Sequence, residues 1–142
     1  LIKEMVHRLR PSRNPDLENM VCLLKGYRGG KYGFVSSHAA NSFGLAMLTS
    51  LFFRSRKYTI IIFLWATIVA YSRIYLGVHY PGDVIGGAIV GVGAALLVYW
   101  LFTKVLPDKI VFKKSAEINM SLPLWVLGAS FVALIPYSLW IY

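Results

Sequence analysis

The sequence holds a single cysteine, Cys22, so no internal disulfide can form, and no second cysteine or histidine stands beside it to build a metal cluster. Acidic residues are scarce too: six, against fifteen lysines and arginines. They make no paired-carboxylate cluster, and no His-x-x-x-His spacing is present to hold zinc. Internal repeats, low-complexity tracts and heptads are missing, which excludes solenoids and coiled coils. A charged-then-apolar leader is also missing. Because the chain opens at Leu1, it is expected to be a fragment lacking upstream spans, inserted through its internal ones.

What is abundant is apolar. Hydrophobic residues make up 57% of the chain and recur in long runs, which points to an all-α, polytopic transmembrane helix bundle forming one domain over residues 1–142. The net charge of +9 raises nucleic acid as a partner. The basic residues, however, sit between the apolar runs and form no single soluble face. The expected partners are therefore the bilayer and a lipid phosphate, with no nucleic acid, and the oligomeric state is left open.

Residues 1–33 read as an interfacial loop and short-helix region, in which Arg10-Pro11 ends any helix begun at Ile2. Arg8, Arg13, Lys25, Arg28 and Lys31 are expected on a solvated basic face. Ser36-Ser37-His38 leads into a helix over 39–53; a serine before a helical run is a good N-cap, and a helix start presents free N–H groups that favour phosphate. Arg54-Ser55-Arg56-Lys57 forms a short basic turn into a second span over 58–76. Two spans joined by so short a turn must run antiparallel, so the Ser36–His38 end and the end holding Arg73 to Asp83 share one membrane face. Pro81-Gly82 breaks the backbone, with Asp83 expected to cap a third span over 84–106. In that span Gly87 and Gly91 form a small-xxx-small packing surface. A basic connection with Lys109, Lys113 and Lys114 leads to a fourth span over 122–142, kinked at Pro136 and ending in the aromatic Trp140 and Tyr142. Positive charge in the turn at 54–57 and at 104–114 places those loops inside the cell. The His79 side then faces out, as at the periplasmic face of a bacterial inner membrane.

The stretch Ser72-Arg73-Ile74-Tyr75-Leu76-Gly77-Val78-His79-Tyr80-Pro81-Gly82-Asp83 closes one apolar run and opens the next. Charges at a membrane-embedded helix boundary are costly and call for a function. Arg73 can fork two N–H donors onto an oxyanion, His79 can act as nucleophile or base, and Asp83 can hold the other imidazole nitrogen. The plainer alternative is a snorkelling Arg and His beside a capping Asp.

Three segments together, Lys3, six residues and Arg10-Pro11; Val35-Ser36-Ser37-His38; and Ser72-Arg73, five residues, His79, three residues, Asp83, resemble the signature of the type 2 phosphatidic acid phosphatase and vanadium haloperoxidase superfamily. The resemblance implies His79 as a nucleophile forming a phosphohistidine, Asp83 orienting its ring, and His38 as the general acid. It implies Lys3, Arg10, Ser36, Ser37 and Arg73 as ligands of the phosphoryl oxygens, with no metal and no cofactor. The expected activity is hydrolysis of a phosphate monoester or pyrophosphate on a membrane lipid of undecaprenyl pyrophosphate, phosphatidic acid or phosphatidylglycerol phosphate type. Lipid A phosphate is the alternative, and the short outer loops favour a polyprenyl pyrophosphate. Val35 stands where the family usually has proline and Ser37 where it has glycine, which bears on substrate fit. A non-catalytic membrane scaffold and a vanadate-dependent haloperoxidase are the competing classes.

Overall fold

The computed structural model describes residues 2–17, 20–21, 23 and 26–105, and every helix or strand assigned among them is helical. The chain divides into two units, Leu1–Val105 and Leu106–Tyr142. The described residues belong to the first. Cys22, Lys25, the basic connection with Lys109, Lys113 and Lys114, and the fourth span with Pro136, Trp140 and Tyr142 lie outside the described residues.

Among the described residues there are four α-helices: α1, Ile2–Val6; α2, Ser37–Phe53; α3, Arg56–Tyr75; and α4, Pro81–Val105. Each of the longer three starts earlier than the apolar pattern alone indicates. Ser36 caps α2, its side chain accepting from Ala39 N, so Ser37 and His38 lie in the first turn. Ser55 caps α3 in the same manner through Tyr58 N, drawing Arg56 and Lys57 into the helix. At α4 the expectation that Asp83 is the cap is corrected. Proline occupies the first helical position, where its missing N–H costs nothing. Asp83 is the third residue, and its Oδ2 accepts from Tyr80 N at 2.9 Å, the reach-back half of a capping box.

α3 and α4 are each long and apolar enough to cross a membrane. Their exposed residues fit that setting: Ile60, Leu64 and Ile68 on α3, with Ile85, Ile89, Leu97 and Trp100 on α4, leave large apolar side chains uncovered. Arg54, in the left-handed conformation at φ 49°, turns the chain from α2 into α3. The antiparallel arrangement then follows. Ala39 at the start of α2, Ala70 near the end of α3 and Val84 at the start of α4 meet in one buried cluster, flanked by Phe43 and Ile74. At the opposite end Phe52 packs edge-on against Tyr99 and Phe102, and Arg54 donates to Tyr99 Oη at 3.1 Å.

α4 packs chiefly on α2, and the contact is one of backbones. A Cβ added at Gly87 would run into the Ser36 carbonyl, and one at Gly91 into the carbonyl of Ala40. In lipid, where no hydrophobic force drives helices together, such close approach supplies the van der Waals contact that holds them. Because α2 and α4 touch along this seam, their first turns are fixed side by side: Ser36 N donates to the Asp83 carbonyl at 2.9 Å.

The N-terminal segment is laid back over that end. Residues 8–10 run antiparallel to 31–33, with Gly33 N donating to Arg8 O at 2.9 Å and Arg10 N to Lys31 O at 3.3 Å. Ser12 N then donates to Gly77 O at 3.0 Å, and Asn14 Nδ2 to Tyr80 Oη at 3.2 Å, tying the segment to the turn after α3.

Replacing Gly91 by alanine is expected to lower the thermal unfolding midpoint in detergent, at a cost of about 1–3 kcal/mol, because the helices must part. Gly93→Ala is the matched control. Its added Cβ meets open space, and its midpoint should stay level or rise slightly.

Candidate active site

His79 sits in the turn between α3 and α4, buried to 3% exposure, and its backbone N donates to Arg73 O at 3.3 Å. Its two ring nitrogens face opposite charges. Nδ1 lies 3.5 Å from Oδ2 of Asp83, longer than a close hydrogen bond, and Asp83 itself is wholly buried. Nε2 lies 3.1 Å from Arg10 Nη1. A guanidinium can only donate, so Nε2 must be the acceptor and the ring proton belongs on Nδ1, toward the carboxylate. That tautomer directs the Nε2 lone pair away from Asp83, as a nucleophile requires.

Arg10 reaches this position because its backbone is extended, at φ −69° and ψ 155°, and its Nη1 also donates to Val78 O at 3.0 Å. Its buried Nε has no hydrogen-bond partner among the described residues. A buried donor without a partner is costly, and an incoming oxyanion would satisfy it. Lys3 Nζ donates to Ser37 Oγ at 3.0 Å, bringing a second cation to the start of α2. Burial, then the charge of Arg10, lowers the Lys3 ammonium below its ordinary value, with Asp83 opposing.

His38 is exposed at the mouth of this cluster. Its pKa is lowered, first by partial burial and then by the positive charges of Arg73, Lys3 and Arg10. His79 is held down to about 4, first by burial and next by Arg10, with Asp83 pulling the other way. The imidazole is therefore neutral at pH 7.

The structure thus brings Lys3, Arg10, Ser37, His38, Arg73, His79 and Asp83 to one end of the helices. Arg73 arrives from the last turn of α3, with its Nε donating to Ser72 Oγ at 3.2 Å. Ser36 belongs to the same end but is fully buried, its hydroxyl oxygen occupied as the cap of α2. Two residues escaped the sequence reading. Arg8, expected on a solvated face, donates from Nη1 to Asp83 Oδ1 at 3.1 Å, because a buried carboxylate draws in the nearest cation. Gly33, within the stretch 1–33 read as interfacial loop, presses its backbone on the pair: a Cβ there would stand 3.0 Å from Asp83 Oδ2. A period of two from Arg8 to Arg10 was the available signal for the first, since alternate residues of an extended segment share a face. No signal marked the second.

This is an all-helical membrane protein with a basic, histidine-centred site at one end of its helices. A family model for the PAP2 superfamily matches residues 1–107, and the chain belongs to that superfamily. It is 48% identical over 105 residues to a protein named lipid A 4'-phosphatase from Bacteroides thetaiotaomicron, covering 72% of this chain and 46% of that one. A second lipid A 4'-phosphatase, from Porphyromonas gingivalis, is 45% identical over 100 residues, covering 70% and 42%. The bacitracin transport permease protein BcrC of Bacillus licheniformis is 39% identical over 71 residues, covering 50% and 34%. The chain spans less than half the length of each of these curated relatives. No solved structure matches it.

Inorganic phosphate is expected to raise the unfolding midpoint of the protein, by the equivalent of about 2.7 kcal/mol at a hundredfold excess over its dissociation constant. Arg10→Ala should abolish that rise in a thermal-shift titration.

Proposed function

We propose that this chain carries the catalytic site of a metal-independent membrane lipid phosphatase working through a phosphohistidine. The observation that carries the reading is the buried His79, with Asp83 3.5 Å behind Nδ1 and the Arg10 guanidinium 3.1 Å in front of Nε2. The arrangement suits a nucleophile with an orienting group at one ring nitrogen and a phosphate-seeking cation at the other.

In this reading the phosphate displaces the His79–Arg10 contact. Arg10 turns onto a phosphoryl oxygen, helped by Lys3, Arg73 and the free N–H groups at the start of α2, with Ser37 among them. Ser36 supports that helix start as its cap. The Nε2 lone pair attacks phosphorus while the bond from phosphorus to the lipid oxygen breaks, and His38 gives its proton to the leaving oxygen. Asp83 stabilises the charge that develops on the ring. A water then attacks the phosphohistidine, giving its proton to the now neutral His38, and the phosphorus–nitrogen bond breaks to release phosphate and restore both histidines. Phosphoryl transfer asks mainly for positioning and neutralised equatorial charge, which three cations supply.

The substrate class favoured is a phosphate monoester on a lipid of lipid A type, supported by the two relatives of that name. This moves the preference away from polyprenyl pyrophosphate, which rested on loop length alone. The site lies on the outer face of a bacterial inner membrane, a placement supported by the basic turn of Arg54, Arg56 and Lys57 at the opposite helix ends.

Phosphate release from a panel of lipid A, polyprenyl and phospholipid phosphates, in detergent with EDTA, tests the reading. Release should persist with the chelator and fall at least about a thousandfold in His79→Ala. Full activity in His79→Ala would remove the nucleophile. The pH profile of kcat/KM should rise through about pH 4 as His79 loses its proton. With further rise in pH it should fall again as His38 loses the proton it must donate, the midpoint lying below the ordinary histidine value because its pKa is lowered.

A further inference from the structure

Arg8 stands outside the phosphate-binding set, yet it makes the polar contact that Asp83 Oδ1 depends on, at 3.1 Å. The carboxylate is wholly enclosed while the Arg8 side chain is 42% exposed, so the cation reaches in from the surface to neutralise a charge that cannot reach water. Two further contacts fix the arginine. Its guanidinium carbon lies 4.3 Å over the Tyr80 ring, and its backbone carbonyl accepts from Gly33 N at 2.9 Å. Tyr80 in turn gives its own N–H to Asp83 Oδ2 and is held at its hydroxyl by Asn14.

Arg8 and Arg10 thus leave one extended segment and reach opposite sides of the same imidazole. Arg10 meets Nε2, where phosphorus would bind, whereas Arg8 lies beyond the carboxylate on the Nδ1 side. We propose that Arg8 is a positioning residue for the nucleophile: it pins Oδ1 of Asp83 so that Oδ2 faces His79 Nδ1, and it does not bind the phosphoryl group. The role in turnover rests on the phosphatase reading above; the coupling of Arg8 to His79 through Asp83 does not.

The charged groups bearing on His79 are Arg10 and Lys3 from the N-terminal segment and Asp83 from α4, and Arg8 acts on the last of these. Without Arg8 the carboxylate keeps the Tyr80 N–H but loses the guanidinium's neutralising charge, so its negative charge bears more strongly on the ring and the imidazole should hold its proton to higher pH.

The test is a double-mutant cycle with Arg8→Met and Asp83→Asn, with Arg8→Lys as the conservative variant, in the full chain in detergent. Arg8→Met should lower kcat about 10- to 100-fold, the scale of a misplaced catalytic group, with KM changed less than about twofold. In the Asp83→Asn background the same change should cost less than about twofold, since its target is gone. Arg8→Lys should recover a substantial part of kcat by restoring the charge, though not the stacked fork. An equal loss in both backgrounds, or a raised KM with unchanged kcat, would overturn the proposal.

Histidine-ring NMR titration, with His79→Gln for assignment, provides a readout free of turnover. The His79 titration should move to higher pH in Arg8→Met and return toward the parent in Arg8→Lys. An unmoved titration in Arg8→Met would also overturn the proposal. A parent protein that releases no phosphate from any lipid, while its His79 titration still responds to Arg8, would sink the phosphatase reading and leave the coupling intact.

Discussion

A carboxylate with no exposure at all, at the edge of an apolar helix bundle, is the constraint the rest of this structure answers to. An unpaired buried charge costs several kcal/mol, so Asp83 can exist only where partners converge on it. They arrive from three directions. Tyr80 supplies a backbone N–H from the turn, His79 a ring nitrogen, and Arg8 a guanidinium from a segment 75 residues away in sequence. The fold of the N-terminal segment, with its hydrogen bonds to Gly77 and Tyr80, follows from bringing that last partner home.

The helix seam serves the same end. Because Gly87 and Gly91 let α4 lie against the backbone of α2, the first turns of the two helices are neighbours. His79, in the short turn before α4, and His38, in the first turn of α2, are therefore held next to rigid helix starts. α3 contributes its last turn, which carries Arg73 and accepts the backbone N–H groups of Val78 and His79. The basic turn at Arg54 lies at the other end of the helices, where Arg54 donates to Tyr99.

Much of this is legible in the amino-acid sequence. Apolar runs of membrane length gave the helical class, and the brevity of the turn at 54–57 forced the antiparallel pairing that brings Ser36 and Asp83 together. Helix starts were less legible, because capping depends on local hydrogen bonds that hydropathy does not register. The Ser55 cap starts α3 two residues early, and Pro81 with the Tyr80–Asp83 bond starts α4 three residues early. Arg8 was missed for a different reason. A lysine- and arginine-rich stretch looks solvated unless the buried anion it answers is known, and that anion lies on another element. Gly33 left no trace because its contribution is the absence of a side chain beside Oδ2.

The serine that stands in the family's glycine position has a consequence of its own. Ser37 offers an oxygen to the Lys3 ammonium at 3.0 Å. A lysine side chain ordinarily surrenders up to about 2 kcal/mol of rotational freedom when it is immobilised. Here the Ser37 hydroxyl already holds the ammonium, so in the proposed phosphatase reading less of that ordering remains to be charged against the binding of phosphate. What the added hydroxymethyl group takes away in room, it returns as a lysine already aimed.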